Sequence, residues 1–404
     1  MTFPADWEVK TLDEVGTVTS GKRLPLGSRL LDNPTSTPYI RVTDMRPGTV
    51  ALSNIKYVPD DVAPLIDRYR IFSEDIFISV AGSLGIAGKV PRELHGANLT
   101  ENADRITSIS CSRDYLLHVL MSPLTQAAIN AIRTVGAQPK LALERLRKFV
   151  IPLPPNRAEQ DAIALALSDV DALLAGLDRL IAKKRDLKQA AMQQLLTGQT
   201  RLPGFHDPWE SKRLGEIGTF LKGSGVRKDE ANSGDRPCIR YGEIYTHHHN
   251  CIKEFSSWIS VEVASAACRL KQGDLLFAGS GETKEEIGKC VAYLHSAEAY
   301  AGGDIVILRP FAADAAFMGY YCNTGSINAQ KASKGQGDAV VHISAAALSS
   351  IEIALPTVAE QNAIATVLLD VDAELAALEA RRDKTRALKQ AMTQELLTGR
   401  IRLI

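Results

Sequence analysis

The sequence predicts a mixed α/β (α+β) protein made of two copies of one globular domain, separated by two long antiparallel helices that form a coiled coil. Three observations predict this architecture. The chain of 404 residues repeats itself with a period of about 202, its globular parts contain short β-branched runs between Gly, Pro and Asn residues, and each copy ends in a long stretch with apolar residues spaced alternately by four and three. A repeat of this length indicates a duplicated module with an internal pseudo-twofold relation, because solenoid repeats are far shorter.

The repeat is clearest at the two ends of each copy. Residues 7–16 (WEVKTLDEVG) reappear at 209–218 (WESKRLGEIG), and residues 187–202 match 388–403 at 11 of 16 positions. The middle parts are less similar but keep the same register. We therefore predict a first globular domain at 1–155, a central helix at 156–200, a second globular domain at 201–356 and a C-terminal helix at 357–404.

The middle of each copy is predicted to contain a twisted sheet and a minority of helix. Apolar runs of four to six residues bounded by turn residues are typical of strands, for instance 76–80, 104–109, 274–277 and 304–308. Helical patterns are fewer and lie at 115–132 and 311–332.

The end of each copy is predicted to be one helix of about 40 residues, because a proline-rich break precedes it and Thr-Gly follows it. The predicted seam consists of Ile163, Leu167, Val170, Leu174, Leu177 and Ile181 in the first helix, and Ile364, Leu368, Val371, Leu375 and Leu378 in the second. We expect the apolar pattern to resume at Leu187, Ala191 and Leu195 in the first helix, and at Leu388, Met392 and Leu396 in the second. Pairing of the two helices allows equivalent surfaces to meet across a pseudo-twofold axis. The alternative is two separate amphipathic helices, each lying on its own domain.

The charge balance excludes a strong general attraction to polyanions. Lys plus Arg and Asp plus Glu both total 47, so the formal net charge is 0. By formal count, residues 1–158 carry 19 basic and 16 acidic groups (net +3), and residues 199–358 carry 16 and 18 (net −2). The sequence shows no secretory signal and no apolar run long enough to span a membrane, so we expect a cytoplasmic protein without a membrane partner.

No residue pattern indicates catalysis. The chain contains no G-x-S-x-G, H-E-x-x-H or Asn/Asp-Pro-Pro-aromatic motif, and its Gly-rich loops at 81–89 and 278–289 lack the spacing of a phosphate-binding P-loop. His247, His248 and His249 are consecutive and point in different directions on any regular element, so a polar loop is favoured over a metal site. We therefore expect a binding protein that is not an enzyme and holds no metal.

The duplicated helix starts and ends resemble a known family. Ala158-Glu159-Gln160 and Ala359-Glu360-Gln361 begin the helices, and Leu-Leu-Thr-Gly ends both. With two variable regions of about 150 residues, the whole chain resembles the DNA-specificity subunit of type I restriction-modification systems (the HsdS family). The resemblance implies that each variable region is a target-recognition domain that reads one half of a split, asymmetric site in double-stranded DNA.

The resemblance also implies partners. The helices would separate the two recognition domains and dock two methyltransferase subunits, and the restriction (translocase and nuclease) subunits would join outside them. S-adenosylmethionine, ATP and Mg are then expected on those partners, with no cofactor bound by this chain. DNA methylation and cleavage would be the partners' chemistry.

Candidate DNA contacts are polar residues near strand ends and Gly loops, where a side chain can reach a groove edge. In the first domain they are Lys22, Arg23, Arg41, Asp44, Ser83, Lys89, Gln138 and Lys140. In the second domain they are Lys222, Arg227, Arg240, Tyr241, Glu243, Ser280, Thr283, Lys289, Lys334 and Gln336. Candidate docking residues on the helices are Arg179, Lys183, Arg185, Gln189, Arg381, Lys384 and Gln390. For every member of these sets, the alternative is an ordinary solvated surface side chain.

Two other functions remain open at this point. A stand-alone, two-headed DNA-binding protein such as a repressor would use the same duplication, although the zero net charge disfavours it. A non-catalytic coiled-coil scaffold without a DNA function is the third reading.

Overall fold

The structure is a computed structural model that describes residues 3–131 and 140–403. The chain divides into two compact units. Unit 1 comprises Met1–Asp178 with Ala380–Ile404, and unit 2 comprises Arg179–Glu379. The division crosses both long helices, so each unit contains one globular part and a segment from each helix.

The globular part of unit 1 is built on two four-stranded sheets. In the first sheet, the antiparallel order is Thr17–Ser20, Ala103–Thr107, Ile76–Ser79 and Ala87–Lys89. In the second, mixed sheet, the order is Lys56–Tyr57, Pro38–Ile40, Ala97–Leu99 and Arg70–Ile71. Two further pairs are Glu8–Thr11 with Val150–Leu153, and Met45–Arg46 with Thr49–Val50. The helices are Leu12–Val15, Arg113–Met121, Pro123–Ala131 and Leu143–Arg147, with 3₁₀ turns at Val42–Asp44, Ala63–Tyr69 and Arg92–Leu94.

Unit 2 repeats this plan with one more strand in its main sheet. The five strands are ordered Gly218–Lys222, Ile305–Pro310, Leu275–Ala278, Cys290–Ala292 and Asn250–Cys251. A four-stranded sheet has the order Ser257–Ile259, Arg236–Ile239, Tyr300–Ala301 and Cys268–Arg269. The remaining pairs are Glu210–Arg213 with Glu352–Leu355, and Ser280–Gly281 with Val341–His342. The helices are Tyr241–Thr246, Val261–Ala266, Ala315–Tyr321, Gly325–Lys334 and Ala345–Ser349, with 3₁₀ turns at Leu214–Glu216 and Lys228–Glu230. The mixed α/β prediction for both copies is confirmed.

The two helical segments predicted in the globular parts are each broken in two. The segment predicted at 115–132 breaks at Ser122, because Pro123 begins a new helix and its ring does not fit a helix interior. The segment predicted at 311–332 breaks at residues 322–324, after which Gly325–Lys334 forms a separate helix. The structure therefore has two short helices in each segment where the sequence predicts helix.

The two long helices are Arg157–Leu195 and Val358–Leu396, each of 39 residues. Within each unit they run antiparallel. In unit 1, Asp171 pairs with Lys389 and Asp178 with Arg382; in unit 2, Lys188 pairs with Asp372. The predicted antiparallel pairing is therefore confirmed.

Each helix end enters a hydrophobic core. In unit 1, Leu396 and Leu397 pack with Ile163 and Leu167 in the main core, and in unit 2 the main core contains the repeat-equivalent Leu195 and Leu196. Burial of these leucines explains why the Leu-Leu-Thr-Gly ending occurs in both copies. Among the described residues, no helix combines the length and apolarity needed to cross a membrane.

Candidate nucleic-acid interface

In unit 1, a cluster of a tryptophan, an arginine and a glutamate joins the start of the globular part to both long helices, and we call it the Trp–Arg–Glu cluster. Arg402, just after the second long helix, donates through Nη2 to Oε2 of Glu159 at 2.8 Å and through Nη1 to Asp6 at 3.0 Å. Its guanidinium lies 5.8 Å from the Trp7 ring centre. Glu159 is only 3% exposed, so its carboxylate depends on the arginine for compensation of its charge.

Unit 2 contains the equivalent Trp–Arg–Glu cluster. Arg201 donates through Nε and Nη2 to the two oxygens of Glu360, both at 2.5 Å, and lies 5.9 Å from the Trp209 ring centre. Glu360 is 1% exposed. The Trp-Glu openings, the Ala-Glu-Gln helix starts and the Arg-Leu endings of the repeat are thereby joined in each unit. Sequence reasoning noted each of these motifs but did not foresee that they meet.

The glutamine of the Ala-Glu-Gln motif ties the helix start to the globular part. In unit 1, the Gln160 side chain accepts from the Ser112 backbone N–H at 2.8 Å and donates to the Pro154 carbonyl at 3.1 Å. Gln361 makes the equivalent bonds in unit 2, to Asp314 at 2.9 Å and Pro356 at 2.8 Å. These bonds satisfy backbone groups at the helix starts.

The predicted seam residues face inward in both helices. Those that are fully buried are Ile163, Leu167, Leu177, Ile181, Ile364, Leu368 and Leu375, and the half-buried ones are Val170, Leu174, Val371 and Leu378. The predicted resumption of the pattern is confirmed at its last positions, Leu195 and Leu396, which are buried, but it is wrong at its first positions, Leu187 and Leu388, which are 53% and 55% exposed. The unbroken four-three spacing from Ile181 leads instead to Lys188, and its repeat equivalent is Lys389.

Each of these lysines pairs with an aspartate of the other helix. In unit 2, the Lys188 ammonium lies 2.5 Å from Asp372, and the two side chains are 19% and 12% exposed. Asp372 also accepts from the Tyr320 hydroxyl at 2.6 Å, which raises the pKa of that tyrosine together with its burial. In unit 1, the Lys389–Asp171 pair spans 2.5 Å but is 28% and 38% exposed. The repeat thus places one Lys–Asp pair between the helices of each unit, more buried in unit 2.

Four of the predicted DNA-contacting residues bind each other. Arg41 donates to both oxygens of Asp44, at 2.9 and 2.7 Å, and Asp44 is 4% exposed. Arg240 donates to Glu243 at 3.0 Å, and Glu243 is 2% exposed. In both cases the acid also accepts from the backbone N–H of its arginine. These pairs hold equivalent turns, and an Arg-x-x-acid spacing in both copies was the sequence signal for this role.

Two more predicted cations are ion-paired. Arg23 lies 2.9 Å from Glu101, and Lys89 lies 2.9 Å from Asp114. In unit 2, Lys289 is half-buried, donates to the Tyr245 carbonyl at 3.2 Å, and has its pKa lowered by burial. Of the described carboxylates, none lies within ion-pair distance of the remaining predicted cations, which are Lys22, Lys140, Lys222, Arg227 and Lys334. Lys22 lies near an aromatic face, 5.8 Å from the Tyr69 ring centre.

The two Gly loops differ in what they expose. Ser83 is exposed between Gly82 and Gly85, which both have positive φ. In unit 2, Ser280 is buried and its hydroxyl lies 2.9 Å from Nδ1 of His342, whereas Thr283 is exposed. Tyr241 is 40% exposed. Gln138 lies outside the described residues.

Three predicted residues of unit 2 meet in one cleft. Lys222, Lys334 and Gln336 line a cavity of about 290 Å³ together with His342 and Asp304. Sequence reasoning missed His342, for which the sequence offered no signal. The structure therefore brings part of the predicted set together and pairs each of the two arginines with a buried acid, while DNA contact by any of these residues stays a prediction.

The three consecutive histidines differ in their exposure. His247 and His249 are exposed, while His248 is buried and its pKa is lowered by that burial. Within the described parts of the chain, no group of three or more His, Cys, Asp or Glu side chains is arranged to hold a metal ion. The histidines follow a short helix as a loop, as expected, and line a cavity of about 720 Å³ beside the helices of unit 2, with His248 buried in it.

The seven candidate docking residues on the helices are all exposed. Arg185 is ion-paired with Glu379 of the second helix in unit 2. Docking at these residues stays a prediction.

Two related but non-identical α+β units, each carrying unpaired surface cations and each built on the same paired helices, define a two-part binding protein. Residues 4–183 and 206–386 both match the model of the type I restriction modification DNA specificity domain. These matches cover most of the chain, and the protein belongs to this family.

Relatives of known name agree with the family. A putative type I restriction enzyme specificity subunit, MjaX, of Methanocaldococcus jannaschii is 25% identical over 430 residues, covering 99% of this chain and 95% of the relative. The EcoBI specificity subunit of Escherichia coli is 21% identical over 211 residues, covering 49% of this chain and 42% of the relative.

Solved structures share the fold. The S subunit of a type I restriction-modification system from M. genitalium superposes with a TM-score of 0.61 at 16% identity, covering 98% of this chain and 97% of that one. The HsdS subunit from Thermoanaerobacter tengcongensis gives a TM-score of 0.52 at 20% identity, with 99% of each chain covered.

Proposed function

We propose that this chain is the DNA-recognition subunit of a type I restriction-modification complex, in which each globular domain reads one half of a bipartite, asymmetric target. The observation that carries this proposal is that the family match covers both copies of the repeat, while the copies differ in their middle parts. Two different domains on one framework suit a target with two different halves. Identical domains would favour a palindromic target.

The paired helices set the distance between the half-sites in this proposal. A helix of 39 residues is about 58 Å long at 1.5 Å per residue. Half-sites one helical turn apart are separated by about 34 Å on one face of DNA, which is the same scale. Insertion or deletion of helical turns within 160–197, with matching changes in the second helix, is therefore expected to change the spacer and leave the half-sites unchanged.

The chain itself recognises DNA, and its partners carry out the chemistry. We propose that two methyltransferase subunits bind the exposed helix faces, that restriction subunits join outside them, and that S-adenosylmethionine, ATP and Mg bind to those partners. The zero net charge supports this division, because phosphate neutralisation supplies much of the affinity of a DNA complex. We therefore expect the lone chain to bind DNA weakly and the assembled complex to bind it tightly.

Modified-base sequencing of host DNA, with the gene present, deleted and restored, tests the proposal. We expect a bipartite methylated motif to vanish on deletion and to return on complementation. Persistence of every bipartite motif after deletion, in a host without a second specificity gene, would contradict the proposal.

A gel shift with purified chain separates the proposal from a stand-alone repressor. Sequence-specific binding that requires a methyltransferase subunit supports the proposal. Equally tight binding by the chain alone would favour the repressor.

A further inference from the structure

A short hairpin in unit 2 is built to present polar side chains. The backbones of Gln336 and His342 exchange two hydrogen bonds, of 2.9 and 2.7 Å, and residues 337–340 between them are exposed. Gly337 has φ +105°, and a Cβ at this position would lie 2.2 Å from the Val340 carbonyl oxygen. Only glycine fits there, so the turn has a defined backbone that projects from the surface. We call residues 336–342 the unit 2 hairpin.

The His342 ring is held by a buried hydroxyl. Ser280 is 3% exposed, its Oγ lies 2.9 Å from Nδ1 of His342, and the two residues face each other across an antiparallel strand pair. When the hydroxyl donates to Nδ1, the neutral ring carries its proton on Nε2. The contact orients the exposed His342 ring and leaves its Nε2 edge to a ligand.

The charged residues that line the adjoining cleft are two lysines and one acid, Asp304. Lys222 and Lys334 line it, and the described part of the chain places no carboxylate within ion-pair distance of either ammonium group. Among the predicted cations of unit 1, Arg23 and Lys89 are ion-paired at 2.9 Å, whereas Lys22 and Lys140 have no ion-pair partner among the described carboxylates. The cleft of unit 2 thus combines two lysines without an ion-pair partner with two hydrogen-bonding side chains on paired backbones.

We propose that the unit 2 hairpin is the base-reading element of the second domain, with Gln336 and His342 contacting base edges in the major groove and with Lys222 and Lys334 holding phosphates. The proposal rests on the proposed function and assigns roles within it. A two-stranded ribbon fits the major groove, a Gln amide pairs with the N6 and N7 edge of adenine, and a ring N–H can donate to an acceptor such as N7 or O6 of guanine. Lysines supply charge without reading sequence.

The test uses the complete complex and duplex oligonucleotides that carry single base-pair changes in either half-site. The variants are Gln336→Ala and His342→Ala. The measured quantity is the ratio of affinities for the native and the changed duplex, because this ratio is independent of general weakening. The matched control is His247→Ala, an exposed histidine of the same unit that lies outside the cleft.

Each alanine variant is expected to lose discrimination by about 5- to 150-fold at one base pair of the second half-site, which corresponds to the loss of one good base contact. Discrimination at the first half-site should stay native, which also shows that the complex is folded and assembled. The control should be native at both half-sites.

Unchanged ratios at every position of the second half-site would overturn the assignment, and so would equal losses at both half-sites. Neither outcome would contradict the proposed function, which in this assay fails if the wild-type complex itself discriminates at neither half-site.

Substitution of the two lysines should change the affinity for DNA and its salt dependence, and leave sequence discrimination unchanged. Lys222→Gln and Lys334→Gln should weaken binding to all duplexes alike and reduce the slope of log affinity against log salt by about one each. A salt slope unchanged in both variants would refute their phosphate role.

Discussion

The two repeat-related lysines between the long helices should differ in their contribution to stability. Lys188→Met leaves Asp372 without its cation at a place where the aspartate side chain is 12% exposed. Breaking a fully buried pair costs about 3–5 kcal/mol. Since Lys188 is 19% exposed and Tyr320 still donates to Asp372, we expect about 2–3 kcal/mol of local destabilisation. Lys389→Met opens a pair that is 28% and 38% exposed, so we expect about 0–1 kcal/mol.

Hydrogen exchange followed by mass spectrometry measures both changes in the full chain, because it reports opening of each segment separately. For Lys188→Met, amides of residues 358–379 should exchange about 30- to 160-fold faster, and for Lys389→Met the amides of 380–396 should change by less than about 6-fold. The double variant Lys188→Met with Asp372→Asn should recover most of the loss, because it removes the uncompensated charge and keeps an acceptor for the Tyr320 hydroxyl. Equal effects of the two single lysine variants would refute the reasoning from burial.

Other substitutions test the fold in the same way. Arg309→Met removes two hydrogen bonds of 2.8 Å to the fully buried Asp274. The free energy of unfolding of unit 2 should fall by about 2–3 kcal/mol and its melting temperature by about 4–12 °C, measured by calorimetry. An unchanged melting temperature would contradict this. Gly399→Ala should lower the free energy of unfolding by at least about 1–2 kcal/mol in urea titrations, since the φ of Gly399 is +72° and a Cβ would lie 2.5 Å from a carbon of Pro4. Gly176→Ala should raise it by about 0.5–1 kcal/mol, because a Cβ at this helix position would meet no atom within 4 Å. Burial raises the pKa of Asp104 to about 6 from 3.8, so the folded state binds the extra proton and stability falls as pH rises from about 4 to 6. Asp104→Asn should remove this dependence and raise the melting temperature at pH 8, and a parallel pH profile for both proteins would contradict it.

The repeat, the main strands and the helix pairing could be predicted because periodicity and turn residues are local or self-similar signals. The prediction of the helix seam failed where a lysine occupies a position of the four-three spacing that otherwise holds an apolar residue. Lys188 and Lys389 continue the four-three spacing. Because the prediction accepted only apolar residues as seam positions, it placed the seam at Leu187 and Leu388 instead. A lysine between helices becomes favourable only when an aspartate faces it, and that fact depends on the partner helix.

The candidate interface was harder to predict because a polar side chain near a strand end serves either the fold or a ligand. Arg41 and Arg240 belong to the fold, since each compensates a buried acid three residues later. Lys222 and Lys334 are far apart in sequence and meet only through the sheet and the helix before the unit 2 hairpin. His342 was missed because its distinguishing feature is a contact with Ser280, 62 residues earlier.

The central claim is that each globular domain independently reads one half-site, and exchange of one domain tests it most directly. Residues 206–356 are replaced by the equivalent region of another family member, and host DNA is analysed by modified-base sequencing in a strain with the same methyltransferase subunits. We predict a new bipartite motif in which only one half has changed, while the other half and the spacer length are retained. A motif changed in both halves, or an unaltered motif, would contradict the claim.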